Sequence, residues 1–339
     1  MHVSVVRPDQ LGPAEGALWA NFQELSPITL NPFFSFTFTQ IVGRARPNAR
    51  VAVVEEDGQI AAFLPYEIHS NNIGMPIGWP MNNLHGFIGS GTAFDPRSVV
   101  RAAGLRGWRF QAAPQQQGVL VPYHYPETAV QCQVISLADG YKSYVESLSR
   151  SLVTKTTRKR RNLERVAGPL SYKWCSPGLK YLPQLIDWES SRHYGVQRLL
   201  SDSSALRIVE DVTMSENRDC AGRLSGVFAD ELPIALLLGI MGPQALCGWF
   251  CAFDASLSRF SPGTIMWLSL AEHAGNQGVT RIDLGAGQDP YKFKLANASY
   301  GVGGGAVWAS RAETLIRAAY RRIIQRSKRR AQMRIRAGS

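Results

Sequence analysis

The most regular hydrophobic pattern in the chain lies between residues 246 and 284. Residues 246–253 (LCGWFCAF) form an apolar and aromatic run of strand length that ends at Asp254. From residue 265 to 274 the apolar side chains recur at helical spacing, and residues 279–284 (VTRIDL) again have the length and composition of a strand. The pattern therefore predicts a strand, a loop, a helix and a second strand, in that order.

The loop before this predicted helix contains Ser261-Pro262-Gly263. Serine is a common N-cap residue, proline is favoured at the first helical position, and glycine lets a ligand approach the backbone. A helix start presents free N–H groups and the positive end of the helix dipole, which together suit a pyrophosphate. The alternative interpretation is an ordinary capped helix that packs on a sheet.

Two other stretches repeat one pattern of strand, acidic turn and apolar strand. The first is a predicted hairpin of residues 51–54 and 60–68, and the second joins residues 224–228 to residues 233–240. This internal similarity predicts two domains of the same type in tandem.

The remaining patterns predict shorter or less regular elements. Residues 105–110 and 118–123 are predicted as the last strands of the first domain, and residues 143–167 and 179–194 as helices, the former with a basic face. Residues 71–91 are predicted to form a loop that either lines an acceptor cleft or is a structural insertion. Residues 301–305 (GVGGG) are predicted to be flexible or a final turn, and residues 312–333 a basic amphipathic helix. That helix either lies on a membrane surface or packs on the protein.

The composition is that of a globular protein, with 45% hydrophobic and 19% charged residues. The chain has no apolar run of the roughly 20 residues that cross a bilayer and no signal-peptide pattern at its start, so a cytoplasmic location is predicted. The 5 cysteines and 6 histidines show no metal-ligand spacing, so no metal is expected. There is no phosphate-binding Walker loop and no nucleophile elbow.

The net charge of +11 is concentrated in two segments. One lies within the helix predicted at residues 143–167, and the other spans residues 311–336, where Glu313 is the only acidic residue. Such clusters indicate an anionic partner: an acidic glycan, a phospholipid surface, tRNA or the phosphates of a cofactor. For the first cluster a solvated helix face is an equally good interpretation.

The motif residues of the second half together resemble one family. They are Ser261, Pro262, Gly263, Asp283, Gly285, Gly287, Tyr291 and Lys292. This arrangement resembles the acetyltransferases associated with cellulose and exopolysaccharide biosynthesis (CelD/BcsL type), a branch of the GNAT superfamily related to the FemAB-like transferases. The resemblance implies an α/β (α+β) fold of two tandem GNAT domains, each with a mixed sheet flanked by helices. The expected divisions are a GNAT-like domain at 1–135, an acetyltransferase domain at 136–305 and a basic helical tail at 306–339.

The resemblance also implies roles for particular residues. Acetyl-CoA or another acyl-CoA is expected to bind along the strand 246–253 and at the loop that follows it, through Phe253, Arg259, Ser261, Pro262, Gly263 and Thr264. Asp283, Lys292 and Tyr291 are the catalytic candidates, and Tyr194, His193 and Asp254 are the substrate-binding candidates. Because a buried carboxylate is costly unless it is paired, Asp283 is expected either to act in catalysis or to pair with a neighbour such as Lys292. Asp254, Glu189 and His193 are weaker candidates for the general base.

The predicted activity is transfer of an acyl group from acyl-CoA to an amine or hydroxyl of a sugar, a polysaccharide or a lipid-linked precursor. Two alternatives stay open: a FemAB-like aminoacyl transfer from charged tRNA, and a non-catalytic scaffold in a polysaccharide-synthesis complex. The basic segments also allow an acyl carrier protein as donor, and peripheral binding at the inner face of the membrane.

Overall fold

The computed structural model describes residues 1–176 and 178–321. The strands of this part are β1 His2–Val6, β2 Ala49–Glu56, β3 Gln59–His69, β4 Ile73–Pro76, β5 Ile88–Gly89, β6 Gly107–Pro114, β7 Val130–Ser136, β8 Leu170–Ser176, β9 Glu216–Asn217, β10 Cys220–Ala229, β11 Leu232–Met241, β12 Ala245–Phe253, β13 Arg281–Ala286 and β14 Ala298–Trp308. The helices are α1 Pro13–Glu24, α2 Phe36–Ala45, α3 Pro96–Ala102, α4 Gly140–Ser147, α5 Arg150–Ala167, α6 Leu182–Arg192, α7 Tyr194–Leu200, α8 Ser203–Met214, α9 Pro262–Asn276 and α10 Pro290–Leu295. Residues 311–321 form a further helix, called here the C-terminal helix.

The strands form one continuous sheet in the order β1-β2-β3-β4-β6-β14-β7-β13-β12-β11-β10-β8, with β5 paired to β3 and β9 to β10. The predicted mixed α/β architecture is confirmed, although the two expected sheets are joined edge to edge into one. Neighbouring strands are antiparallel except for β4 with β6 and β12 with β13, which are parallel. From one edge the sheet reads β1-β2-β3-β4-β6, and from the other edge it reads β8-β10-β11-β12-β13. The first half (β1–β6, α1–α3) and the second half (β8–β13, α4–α10) therefore repeat one arrangement. The divisions at residues 135 and 305 stay predictions, and they fall inside β7 and β14, respectively.

The halves are joined by two exchanged strands. β7 leaves the first half and pairs with β13, while β14 returns from the second half and pairs with both β6 and β7. The prediction that residues 301–305 are flexible or a turn is wrong, because they lie in the middle of β14. A Cβ atom at Gly305 would lie 2.2 Å from the carbonyl oxygen of Tyr123, and one at Gly301 would lie 2.2 Å from Gln115 Oε1. The backbone carbonyl beside Gly305 requires a glycine there, whereas the Gln115 side chain beside Gly301 can move aside.

Helices cover both faces of the second half of the sheet. On β11, Leu236 and Leu238 pack toward α2, α6 and α8, while Ala235 and Leu237 pack toward α4, α5 and α9. All four side chains are completely buried. A strand buried on both faces has no polar side to display, which explains why β11 is a continuous apolar run.

Other predicted boundaries need correction. Residues 118–123 form a 3-10 helix instead of a strand, and the last strand before the second half is β7, which the sequence pattern did not predict. The single helix expected at 143–167 is two helices, because Ser149 caps α5 through a hydrogen bond from the Leu152 N–H. The helix expected at 179–194 is α6 and ends at Arg192. The tail beyond residue 321 lies outside the described residues.

Candidate active site

The strands β12 and β13 part soon after they meet. Their parallel pairing covers only Ala245–Cys247 against Arg281–Asp283, and β12 then continues to Phe253 along β11 alone. Just past the pairing, the indole of Trp267 from α9 fills the space beside Gly248, where a Cβ atom would lie 2.4 Å from the ring. The parting leaves one backbone edge of β12 open toward the gap between the two strands.

The open edge of β12 carries N–H groups that point into the gap. The N–H of Cys251 donates to Oε1 of Glu189 on α6 at 2.8 Å, whereas the N–H of Asp254 donates to Ile234 on β11. Along a strand, the backbone N–H groups point alternately to one edge and to the other. Phe253 lies two residues after Cys251, so its N–H also faces the gap.

The loop after β12 leads directly to the start of α9. Asp254 accepts hydrogen bonds from the N–H and hydroxyl of Ser256 and so caps a 3-10 helix that ends at Phe260. Ser261 then adopts a left-handed conformation (φ 54°), and α9 begins at Pro262 as predicted. The expected side-chain cap by Ser261 is wrong, because its hydroxyl makes no hydrogen bond to the first turn.

The hydroxyl of Ser261 instead accepts a hydrogen bond from Lys159 of α5, with Nζ 2.6 Å from Oγ. The helix start thus combines the N–H of Gly263, for which the helix provides no carbonyl partner, with a nearby ammonium group. Both favour an anion. Lys159 could be anticipated from the basic pattern of its helix, but the pattern alone did not single it out from its basic neighbours.

The other predicted donor-binding residues surround this helix start. Gly263 faces the ring of Phe253, whose Cδ1 lies 3.4 Å from the position of a Cβ atom. Thr264 belongs to the same turn and donates its N–H to Ser261. The guanidinium of Arg259 lies 4.7 Å from the centre of the Phe260 ring. The structure therefore brings these predicted residues together at one end of the gap.

Glu189, Tyr291 and Cys251 meet in the gap itself. Glu189 is buried, and burial raises the pKa of its carboxyl group. Tyr291 lies against Trp267, with ring centres 6.5 Å apart, and its pKa is raised by burial and by the nearby Cys251, Asp289 and Glu189. Burial also raises the pKa of the Cys251 thiol, to about 12. Tyr291 and Cys251 are therefore protonated at neutral pH, whereas Glu189 is the group here that exchanges a proton most easily.

Asp283 and Lys292 do not form the pair that was expected. Lys292 is buried and its Nζ contacts the carbonyl of Ala286 at 2.9 Å and the carboxylate of Asp289 at 3.2 Å. Asp283 has other partners because it points toward the first half of the molecule. There it accepts hydrogen bonds from the side chains of Asn31, Arg281 and Tyr300 and from the N–H of Gly285.

The substrate-binding candidates are more dispersed. Tyr194 is 78% exposed, at the start of α7. His193, between α6 and α7, is exposed but close enough to Glu189 to lower the pKa of that carboxyl group slightly against the larger effect of burial. Asp254 serves as the cap described above. His193 therefore acts on the carboxyl group of Glu189.

The corresponding helix of the first half has a different start. The carboxylate of Asp95 accepts hydrogen bonds from the N–H groups of Arg97 and Ser98 and so occupies the first turn of α3. A second anion would be repelled there.

A cleft of about 1090 Å³ lies beside this helix, and the end of the loop predicted at 71–91 lines part of it. The loop itself contains β4 and β5, and its buried His85 has a pKa lowered to about 3 by burial.

Within the described ranges, no group of three or more His, Cys, Asp or Glu side chains is placed to hold a metal ion. The same residues contain no helix that is long and apolar enough to cross a membrane.

Comparison with known proteins agrees with this architecture. Residues 150–293 match the family model of the acetyltransferase (GNAT) domain. No curated protein matches the chain significantly.

Three solved structures illustrate the similarity over the whole chain. FemX is 12% identical, with 94% of this chain and 99% of that chain covered and a TM-score of 0.54. The C-terminal domain (DUF2156) of a putative lysylphosphatidylglycerol synthetase from Agrobacterium fabrum is 13% identical, with 91% and 95% covered and a TM-score of 0.53. A tandem GNAT protein from the clavulanic acid biosynthesis pathway is 10% identical, with 91% and 99% covered and a TM-score of 0.51. The chain therefore has the tandem GNAT fold, and identities this low establish the fold alone.

Proposed function

We propose that this protein transfers an acyl group from acyl-CoA to an amine or hydroxyl of a sugar, a polysaccharide or a lipid-linked precursor. One observation carries the proposal: the open edge of β12, where the buried Glu189 carboxylate accepts the Cys251 N–H, leads to a helix start with a free N–H group and the Lys159 ammonium beside it. A thioester on a phosphorylated carrier needs this combination of backbone donors, an anion site and a base.

The donor would bind along β12. Its pyrophosphate would lie over Ser261 to Thr264, with the N–H of Gly263 and the ammonium of Lys159 as hydrogen-bond donors. Arg259, at the end of the preceding 3-10 helix, adds a positive charge at the edge of this site. The N–H of Phe253 would hold the amide groups of the pantetheine arm or the thioester carbonyl.

Glu189 is our candidate for the general base. Its carboxylate would take the proton from the acceptor amine or hydroxyl as the acceptor atom bonds to the thioester carbon. The carbon–sulfur bond then breaks, and Tyr291 would donate its phenolic proton to the leaving thiolate. Burial raises the pKa of Glu189 toward neutral pH, which strengthens it as a proton acceptor, and the raised pKa of Tyr291 keeps its phenol protonated until the thiolate leaves.

Asp283 and Lys292 would act by positioning. Lys292 binds the carbonyl of Ala286 at the end of β13 and so fixes the strand that faces the donor. Asp283 fixes the same strand from its other side, through its bonds to Tyr300 and Asn31.

The test is calorimetric titration of the purified protein with CoA, acetyl-CoA and longer acyl-CoAs. We expect saturable binding, and a loss of about 10- to 100-fold in affinity for Lys159→Gln, because a charge-assisted hydrogen bond contributes about 1.5–3 kcal/mol. Lys155→Gln is the matched control: it removes the same charge from an exposed position one turn earlier on α5. Equal losses in both variants would mean that only the general charge of the helix matters.

The same titration separates the alternatives. Absence of binding to every CoA derivative would overturn the CoA proposal. Binding of acyl carrier protein or charged tRNA in its place would transfer the donor role to that macromolecule, whose anionic surface would meet the exposed arginines of α5, Arg158, Arg161 and Arg165. A protein that binds none of these donors would be the non-catalytic scaffold.

A further inference from the structure

The C-terminal helix attaches to the first half through its charged side chains. The Glu313 side chain is 16% exposed and pairs with Arg106, the residue before β6, with 2.8 Å between the charged atoms. Arg317, one turn later, lies with its guanidinium 4.8 Å from the ring centre of Trp308, the last residue of β14. The face of the helix that meets the protein is thus polar.

The next turn repeats this attachment. The guanidinium of Arg321 lies 3.5 Å from the ring centre of Tyr125 and 3.2 Å from the carboxylate of Glu127. Glu313, Arg317 and Arg321 follow each other at intervals of four residues, so they form one stripe along the helix.

The side of the helix next to this stripe is apolar and open to solvent. Leu315, Ile316 and Tyr320 are 72%, 67% and 63% exposed, respectively. A surface helix of a globular protein normally turns such residues inward and its charges outward. This helix does the reverse, so its apolar face lacks a partner within the described part of the chain.

We propose that this face binds a membrane surface that contains anionic lipids. The sequence after the helix supplies the complementary charge, since residues 322–339 contain seven Lys or Arg residues and no Asp or Glu. Exposed Arg101 and Arg109 lie on the neighbouring α3 and β6. An apolar stripe bordered by cations is the pattern of a helix that lies in the headgroup region. The inference does not depend on the identity of the donor or the acceptor.

A lipid surface fits the dimensions of the patch better than a second protein. A stable protein interface needs about 800 Å² on each partner, which three side chains do not supply. Insertion of a few apolar side chains into the headgroup region needs no such area when cations add to the attraction.

The experiment is co-sedimentation of the full-length protein with vesicles of phosphatidylcholine alone or of phosphatidylcholine with 30% phosphatidylglycerol. We expect binding to the anionic vesicles that weakens with salt, and at least about a tenfold loss in the partition coefficient for the double variant Leu315→Glu, Ile316→Glu. Leu232→Glu is the control, because Leu232 is 71% exposed at the start of β11. It should bind like the wild type.

Three results would overturn the proposal: no binding to anionic vesicles, equal binding to both kinds of vesicle, or unchanged binding by the double variant. Self-association in solution that the double variant abolishes would also overturn it and assign the face to a second copy of the chain. CoA titration of the double variant, expected to match the wild type, shows that the fold and the donor site are intact and separates this question from the proposed activity.

Discussion

Replacement of Asp283 by asparagine tests whether this residue acts in structure or in catalysis. Oδ2 accepts hydrogen bonds from Tyr300 at 2.5 Å, Asn31 at 3.1 Å and Arg281 at 3.4 Å, while Oδ1 accepts the N–H of Gly285 at 2.9 Å. Asparagine has a single acceptor oxygen. If that oxygen stays with the three donors at Oδ2, its NH₂ group faces the N–H of Gly285.

The cost follows from these contacts. One hydrogen bond to a charged group is lost, worth about 1.5–3 kcal/mol, and a buried N–H group is left without an acceptor, at about 1–3 kcal/mol. We therefore expect Asp283→Asn to lower the free energy of unfolding by about 3–5 kcal/mol, a large share of the roughly 5–15 kcal/mol of a typical domain. Tyr300→Phe removes one donor and leaves the carboxylate with its other partners, so it should cost about 1.5–3 kcal/mol.

Urea denaturation followed by fluorescence gives these free energies, and CoA titration under native conditions reports on the donor site. The folded Asp283→Asn protein should bind CoA like the wild type. A variant that unfolds within about 0.5 kcal/mol of the wild type yet loses acyl transfer would refute the reasoning and make Asp283 the catalytic group.

Two further predictions concern the central strand and the base. Gly305→Ala should destabilise the protein by at least about 3 kcal/mol in the same urea assay, because its Cβ would lie 2.2 Å from the carbonyl oxygen of Tyr123. The control is Gly118→Ala, which has open space around its Cβ and should change the free energy of unfolding by less than about 0.5 kcal/mol. A comparable loss in both would contradict the packing argument. Glu189→Gln should lower the acyl-transfer rate at least about 100-fold, while the amide oxygen still accepts the Cys251 N–H.

The raised pKa of Glu189 also fixes the sign of two pH effects. In the wild type the transfer rate should fall as the pH decreases through this raised pKa, because the base becomes protonated. Because the pKa of Glu189 is higher in the folded than in the unfolded protein, its protonated carboxyl group stabilises the fold. This stabilisation is complete below the pKa of the unfolded state, about 4.3, and is lost as the pH rises through the pKa of the folded state. The Gln variant should therefore be at least as stable as the wild type at pH 7, and a less stable variant would show that the carboxylate is paired more strongly than its contacts indicate.

The sequence pattern predicted well the strand, the helix start and the second strand that would form the proposed donor site. The strand at 246–253, the helix start at Pro262 and the strand after it all depend on local signals: an apolar run, a proline in the first turn and helical spacing. These signals act within a few residues, so they can be read without knowledge of the rest of the chain.

The parts that the sequence did not predict depend on distant neighbours. The glycines of β14 were interpreted as a turn because nothing local shows that Tyr123 and Gln115 pack against them. The partner of Asp283 was sought nearby, at Lys292, whereas Asn31 is 252 residues away. Glu189 ranked low as a base because its contact with β12 exists only after α6 has packed on the sheet.

The exchange of β7 and β14 affects how the protein is made. The last described strand in the chain, β14, occupies a central place in the sheet, between β6 and β7. While the ribosome is still producing the second half, β6 lacks this neighbour and presents unpaired backbone groups along one edge. Edges of this kind invite pairing with other chains. The nascent first half therefore needs protection until residues 298–308 emerge, and a shortened gene that ends before them would yield an aggregation-prone product.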